Sequence, residues 1–253
     1  MCPAGSAFCP PYPGLARVAG DLLPHYTVST KVGYFPGPDT AEHSLDPTRL
    51  RAALEQTNRD LGRTPDLVFL HNPEASLPEP TEACGDALAR AFTLMADATE
   101  QSLCRAWGIA SWNPRPLVPL LREGLPTPSV LMVRAGLLVG SDTLAASEAL
   151  AARWGMHEEA LWGMSPFGGS VHDPVWKDVD PRLFLQNPTV GLSRLQAAFR
   201  AAYQLPHVGT IAVGSGDSSH LRQLLDSLRC DVDERVVVQY RELLCERTLR
   251  QRA

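Results

Sequence analysis

With 253 residues and a hydrophobic content of 44%, the chain is long enough to bury a sizeable core in one domain, the size at which α/β barrels of about 250 residues are routinely built. The net charge of -5 and pI near 5.8, with the arginines scattered along the sequence, argue against a nucleic-acid footprint. No apolar run approaches the roughly 20 residues of a membrane span, and Met-Cys-Pro-Ala-Gly does not read as a signal peptide, so the expectation is a soluble, cytoplasmic protein whose partner is a small molecule, neither nucleic acid nor membrane.

Short apolar runs alternate with amphipathic helical stretches, the pattern of βα units and a parallel sheet. The first predicted strand is Ser6 to Cys9, followed by Tyr26 to Lys31, Leu67 to His71, Ala106 to Ser111, Val130 to Arg134, Ala160 to Ser165 and Thr210 to Ser215. Between the second and third, Asp46 to Leu61 opens with an Asp cap and a proline at the first helical position, then sets Leu50, Leu54 and Leu61 on one face. Further helices are expected over Pro80 to Ala106, Pro116 to Glu123, Leu144 to Gly155, Gly191 to Tyr203 and Ser218 to Ser227. A tail helix over residues 233–249 is expected to dock on the exterior of a single domain spanning 1–253. Seven parallel strands make an incomplete TIM-type (β/α) barrel with two open edges, a liability that a second copy of the chain would cover, so a homodimer is expected.

Only two lysines occur against twenty-one arginines, and one of them, Lys31, closes a strand-like run. Forty residues on, Asp66-Leu-Val-Phe-Leu-His71-Asn-Pro-Glu74 ends another such run on an imidazole. Both groups would converge on the mouth formed by the carboxyl ends of barrel strands, where barrel enzymes work. The six cysteines show no Cys-x-x-Cys pairing and the seven histidines no ligand spacing, so neither a disulfide framework nor a metal site is read here.

Five segments resemble the aldo/keto reductases: Ser29-Thr-Lys31-Val-Gly33; His43 through Glu74; Trp107-Gly-Ile-Ala-Ser111-Trp; Met164-Ser165-Pro166-Phe167-Gly168-Gly169; and Ala212-Val-Gly214-Ser215-Gly-Asp. The resemblance implies a (β/α)8 barrel that binds NADP(H) and reduces carbonyls with an Asp, Tyr, Lys, His tetrad. It assigns Lys31 and His71 to the last two roles. The aspartate position falls on Cys9 and the tyrosine position on Gly14, with Tyr12 displaced nearby, and the βα unit that opens the family's barrel is missing. Resemblance makes Ser111, Ser165, Gly168, Gly214 and Ser215 the cofactor-binding candidates, and Tyr34, Trp112 and Arg134 are candidates for substrate. The nicotinamide contacts are thinned, with Ala110, Met132 and Met164 where polar or stacking groups belong, and Asp217 would repel a 2'-phosphate.

The expectation is therefore a divergent aldo/keto reductase-like enzyme of a specialised biosynthetic pathway, using either no cofactor or NADP. Lys31 and His71 would act on a small carbonyl compound by redox-neutral chemistry: dehydration, isomerisation, cyclisation or a lyase step. In this scheme His71 titrates near neutrality and shuttles the proton. The alternatives are an oxidoreductase, an NAD(P)H-dependent carbonyl reductase with a proton donor rebuilt from Tyr12, Tyr34 or His71, and a non-catalytic partner subunit.

Overall fold

The computed structural model describes residues 19–187 and 191–252. Two compact units divide the chain, one running to Met132 and the other from Val133. Six of the seven expected strands are present among the described residues, all of them parallel; the Ser6 to Cys9 strand, with Cys9 and Tyr12, lies outside them.

In the first unit a 3-10 turn, Gly20–His25, leads to β1 (Ser29–Val32), then to a two-stranded antiparallel ribbon of β2 (Tyr34–Phe35) and β3 (Glu42–His43) that pairs Tyr34 with His43. The first long helix, α1 (Pro47–Leu61), starts where the sequence placed it: Asp46 accepts a hydrogen bond from Arg49 N–H, Pro47 opens the helix, and Leu50, Leu54 and Leu61 are buried. Next come β4 (Leu67–His71), the 3-10 turn Pro73–Ser76, α2 (Glu82–Glu100), β5 (Trp107–Ser111) and β6 (Val130–Arg134), whose last residues enter the second unit. The helix expected from Pro80 begins at Glu82 because the Thr81 hydroxyl caps it through Cys84 N–H, and it stops before Ser102, which takes a positive φ of 60°. Over Pro116 to Glu123 only a 3-10 turn, Val118–Leu120, forms. Pro116 and Pro119 each remove a backbone donor there, so a regular helix cannot propagate.

Strand alternation and register decide which side chains share a face. β1 pairs with β4 so that Lys31 lies opposite Phe69, and β4 pairs with β5 so that Phe69 lies opposite Gly108 and His71 opposite Ala110. Lys31, Phe69, His71, Gly108 and Ala110 therefore project from one face. The other face carries Trp107, Ile109 and Ser111 toward α2, whose Phe92 packs edge-to-face on Trp107 at a centroid distance of 5.3 Å. Gly108 lies directly under the Phe69 ring: a Cβ there would stand 2.9 Å from Phe69 Cε1 and 2.6 Å from the Val130 carbonyl oxygen. Gly108→Ala is accordingly expected to cost about 1–3 kcal/mol by overpacking, measured as a lowered denaturant midpoint at unchanged m-value.

The second unit contains α3 (Ser141–Arg153), β7 (Leu161–Met164), the single turn α4 (Val175–Asp178), α5 (Arg194–Ala202), β8 (Thr210–Ala212), α6 (Ser218–Ser227) and α7 (Glu234–Arg252). β7 and β8 run parallel, with Trp162 beside Thr210. Its core gathers Phe167, Trp176, Phe184, Phe199 and Leu205 with the alanines of α5. The tail helix docks on this unit. Tyr240 donates its hydroxyl to the Leu137 carbonyl and packs edge-to-face on Phe184, Arg241 pairs with Glu148 at 2.6 Å, and Thr248 meets Ser141 at 2.8 Å. No helix of the described residues is long and apolar enough to cross a membrane.

Candidate active site

The carboxyl ends of β1 and β4 bring Lys31 and His71 together on one face of the first unit, as strand-end reasoning expected. Tyr34 joins them. Its ring lies edge-on to His71 at 4.9 Å and to His43 at 4.8 Å, so the phenol and two imidazoles form one cluster. His71 corrects the sequence reading. Burial, reinforced by the positive charge of Lys31 and by His43, pushes its pKa down from 6.5 to about 4, so at neutral pH it is an uncharged imidazole and not a group titrating near 7. A neutral imidazole with one N–H beside an ammonium is suited to polarising a carbonyl oxygen.

This depression has a stability consequence of definite sign. A histidine whose folded pKa lies below its unfolded value of 6.5 binds fewer protons folded than unfolded, so its stabilising contribution is complete above pH 6.5 and is lost as pH falls towards 4. The loss attributable to His71 is on the order of 3 kcal/mol. His43, also depressed by burial, adds in the same direction, whereas Glu74, raised by burial, acts oppositely as pH climbs. Urea midpoints measured at pH 7 and pH 4.5 should therefore fall with acid in the wild-type chain and fall less in His71→Asn.

Residues not singled out from the sequence, His43, Ser76, Gly33, Glu74 and Asn72, complete this region. His43 Nε2 lies 2.8 Å from the His71 backbone oxygen, and its Nδ1 lies 2.6 Å from Ser76 Oγ. Gly33, at φ +131°, permits this approach, since a Cβ there would stand 3.1 Å from both His43 Nε2 and the His71 carbonyl oxygen. Glu74 accepts hydrogen bonds from Trp112 N–H at 2.7 Å and Asn113 N–H at 2.8 Å, and Asn72 Oδ1 also accepts from Trp112 N–H. One carboxylate thus ties the segment after β4 to the segment after β5 and fixes the backbone that carries the exposed Trp112 indole. Only the presence of His43 and Glu74 within motif-like segments could have signalled them.

Ser111 is fully buried on the helix-facing side of β5, away from Lys31, where its hydroxyl lies close enough to Glu74 to lower that carboxyl's pKa without completing a well-directed bond to it. The residue on the Lys31 face is Ala110, which offers no polar atom to a carboxamide. In the second unit Ser165, at φ 56°, opens a tight turn closed by Gly168 N–H to its carbonyl at 2.9 Å, and Gly168 packs against Leu138. Gly214 and Ser215 are exposed. Ser215 Oγ accepts from Asp217 N–H, and the Asp217 carboxylate accepts from Ser219 N–H at 2.7 Å, so the N-terminus of α6 is already neutralised by the chain's own negative charge. Arg134 ends β6 half-buried, with its guanidinium pushed below its usual pKa by burial and one N–H on the Leu138 carbonyl at 3.4 Å. Within the first unit the Lys31 face thus presents no polar atom at Ala110, and within the second unit the start of α6 presents the Asp217 carboxylate.

The alternating α/β architecture with lysine and histidine at the carboxyl ends of adjacent parallel strands defines a TIM-type barrel class. The aldo/keto reductase family profile matches residues 17–170, and the chain belongs to the aldo/keto reductase family. Among solved structures it is similar to the holo form of an aldo-keto reductase (AKR11C1) of Bacillus halodurans, at 16% identity and TM-score 0.67 over 92% of this chain and 77% of that one. A thermostable aldo-keto reductase, Tm1743, solved with the inhibitor epalrestat, matches at 19% identity and TM-score 0.65 over 92% and 76%. An aldo/keto reductase of Brucella melitensis matches at 14% identity and TM-score 0.59 over 93% and 79%. Comparison with curated proteins returned no match.

Proposed function

We propose that the protein acts on a small carbonyl compound by redox-neutral chemistry. The observation that carries this reading is the neutral His71 beside Lys31 on a face where Ala110 stands in the neighbouring strand. The ammonium and the imidazole N–H polarise the carbonyl oxygen, which acidifies the adjacent carbon and stabilises the enolate formed when its proton leaves. Tyr34, packed on His71, supplies the hydroxyl that carries the proton between carbon and oxygen, as an isomerisation or dehydration requires. No step runs through a nicotinamide.

A second reading, an NAD(P)H-dependent carbonyl reductase, is favoured by membership of the family and by the same Tyr34 phenol, which would serve as proton donor in place of the tetrad tyrosine. One pair of measurements separates the two. In the first reading, small ketones and hydroxyaldehydes lose α-hydrogen to deuterium in heavy water without added cofactor, and NADPH and NADH fail to bind at millimolar concentration. Micromolar binding of either nucleotide, with the fluorescence of an enclosed reduced nicotinamide and no cofactor-free exchange, would assign the site to reduction instead.

A further inference from the structure

Ser76 and His43 stand in the relation of a nucleophile to its base, on atoms the carbonyl site does not use. The separation of Ser76 Oγ from His43 Nδ1 is 2.6 Å, at the close end of hydrogen-bond reach. Which nitrogen carries the proton follows from the other contact. His43 Nε2 faces a backbone carbonyl oxygen at 2.8 Å, which can only accept, so Nε2 holds the hydrogen and Nδ1 presents its lone pair to the serine hydroxyl. Burial keeps His43 below its usual pKa, so the ring is neutral and able to take a proton at pH 7. The Ser76 hydroxyl has one proton, and the His43 carbonyl oxygen at 3.3 Å is the poorer of its two acceptors. A third group orients the base, as nucleophile activation requires: the His71 carbonyl anchors Nε2, and Gly33 leaves that bond room. Both side chains keep partial exposure, so a small reagent can reach them.

We propose that Ser76 is a nucleophilic serine, activated by His43, that accepts an acyl group from small activated esters. Ser76 Oγ attacks the ester carbonyl carbon while its proton passes to His43 Nδ1. The imidazolium so formed stays anchored through Nε2–H to the His71 carbonyl. The acyl carbon to leaving-group oxygen bond then breaks and the proton moves from Nδ1 to that oxygen, releasing the alcohol or phenol and leaving the acyl group on Ser76. Water restores the serine by the reverse proton path. The neighbouring Ala75 and Leu77 N–H groups are committed to the Asn72 and Glu74 carbonyls, so they are not available to hold the oxyanion. That lack slows attack on the ester and on the acyl-serine alike, but an activated ester expels its phenolate far more readily than the acyl-serine expels the serine alkoxide, so acylation outruns hydrolysis and the acyl form accumulates.

The test uses the full-length chain with p-nitrophenyl acetate, following p-nitrophenol release and mapping the acetyl group by peptide mass spectrometry. The expected result is a burst approaching one equivalent per chain with the acetyl group on Ser76, absent in Ser76→Ala and slowed about a hundred-fold or more in His43→Gln. Ser76→Cys, nearly the same size, guards against a misfolded variant and should carry the acetyl group as a thioester. Acetylation confined to Lys31 or the terminal amine, an unchanged rate in folded His43→Gln, or no thioester in Ser76→Cys would overturn the proposal. Because the readout is ester acylation and not carbonyl turnover, its outcome is independent of the reaction assigned to Lys31 and His71.

Discussion

Lys31→Met and His71→Ala are each expected to lower turnover of the carbonyl substrate by a factor on the order of a hundred to ten thousand while leaving the fold in place. Lys31 is the last residue but one of β1 and His71 the last of β4, the hydrogen-bonded ladders do not depend on their side chains, and neither belongs to the buried apolar core. The loss should fall on kcat at least as much as on KM, because an ammonium and an N–H aimed at developing oxyanion charge act more strongly on the transition state than on the bound ketone. Circular dichroism and thermal unfolding should match the wild type near pH 7. Turnover unchanged in both folded variants would remove the site from this face of the sheet.

The largest effect on stability is expected for Phe92→Ala, about 3–5 kcal/mol. Phe92 is completely buried, sits mid-helix on α2 and makes an edge-to-face contact with Trp107 at 5.3 Å. Truncation opens a ring-sized cavity between the helix and β5, in an interior whose neighbours Leu88 and Met95 are themselves fully buried. Denaturant titration should show the midpoint shift at constant m-value; a loss under 1 kcal/mol would mean that the helix collapses onto the strand.

Much of the fold is legible because local rules agree with one another. Asp46 and Pro47 start α1, leucines at helical spacing bury one side of it, and apolar runs ending at His71 and Ser111 become strands within a residue or two of their expected bounds. Where the local signals were wrong, proline chemistry decided: Pro116 and Pro119 turned an expected helix into a single 3-10 turn. That Lys31 and His71 share a face was also legible, since residues near the ends of successive strands converge whenever the strands are parallel neighbours in register.

The rest required the tertiary structure. Ser111 is a cofactor-contact candidate by resemblance, and the β4 and β5 register turns it toward α2, where a shift of one residue would have reversed that. His43 and Ser76 are 33 residues apart in the chain, and Trp112 and Glu74 are 38 apart; no periodicity links them. His71 was expected to titrate near neutrality because a sequence carries the reference pKa, whereas burial and the charge of Lys31 arise only when the chain folds around the ring. The sequence by itself determined which elements form and which two side chains end them, since propensity, capping and alternation act over a few residues. Register and burial, which come from contacts between distant segments, decided which face each side chain takes and in what protonation state it meets a substrate.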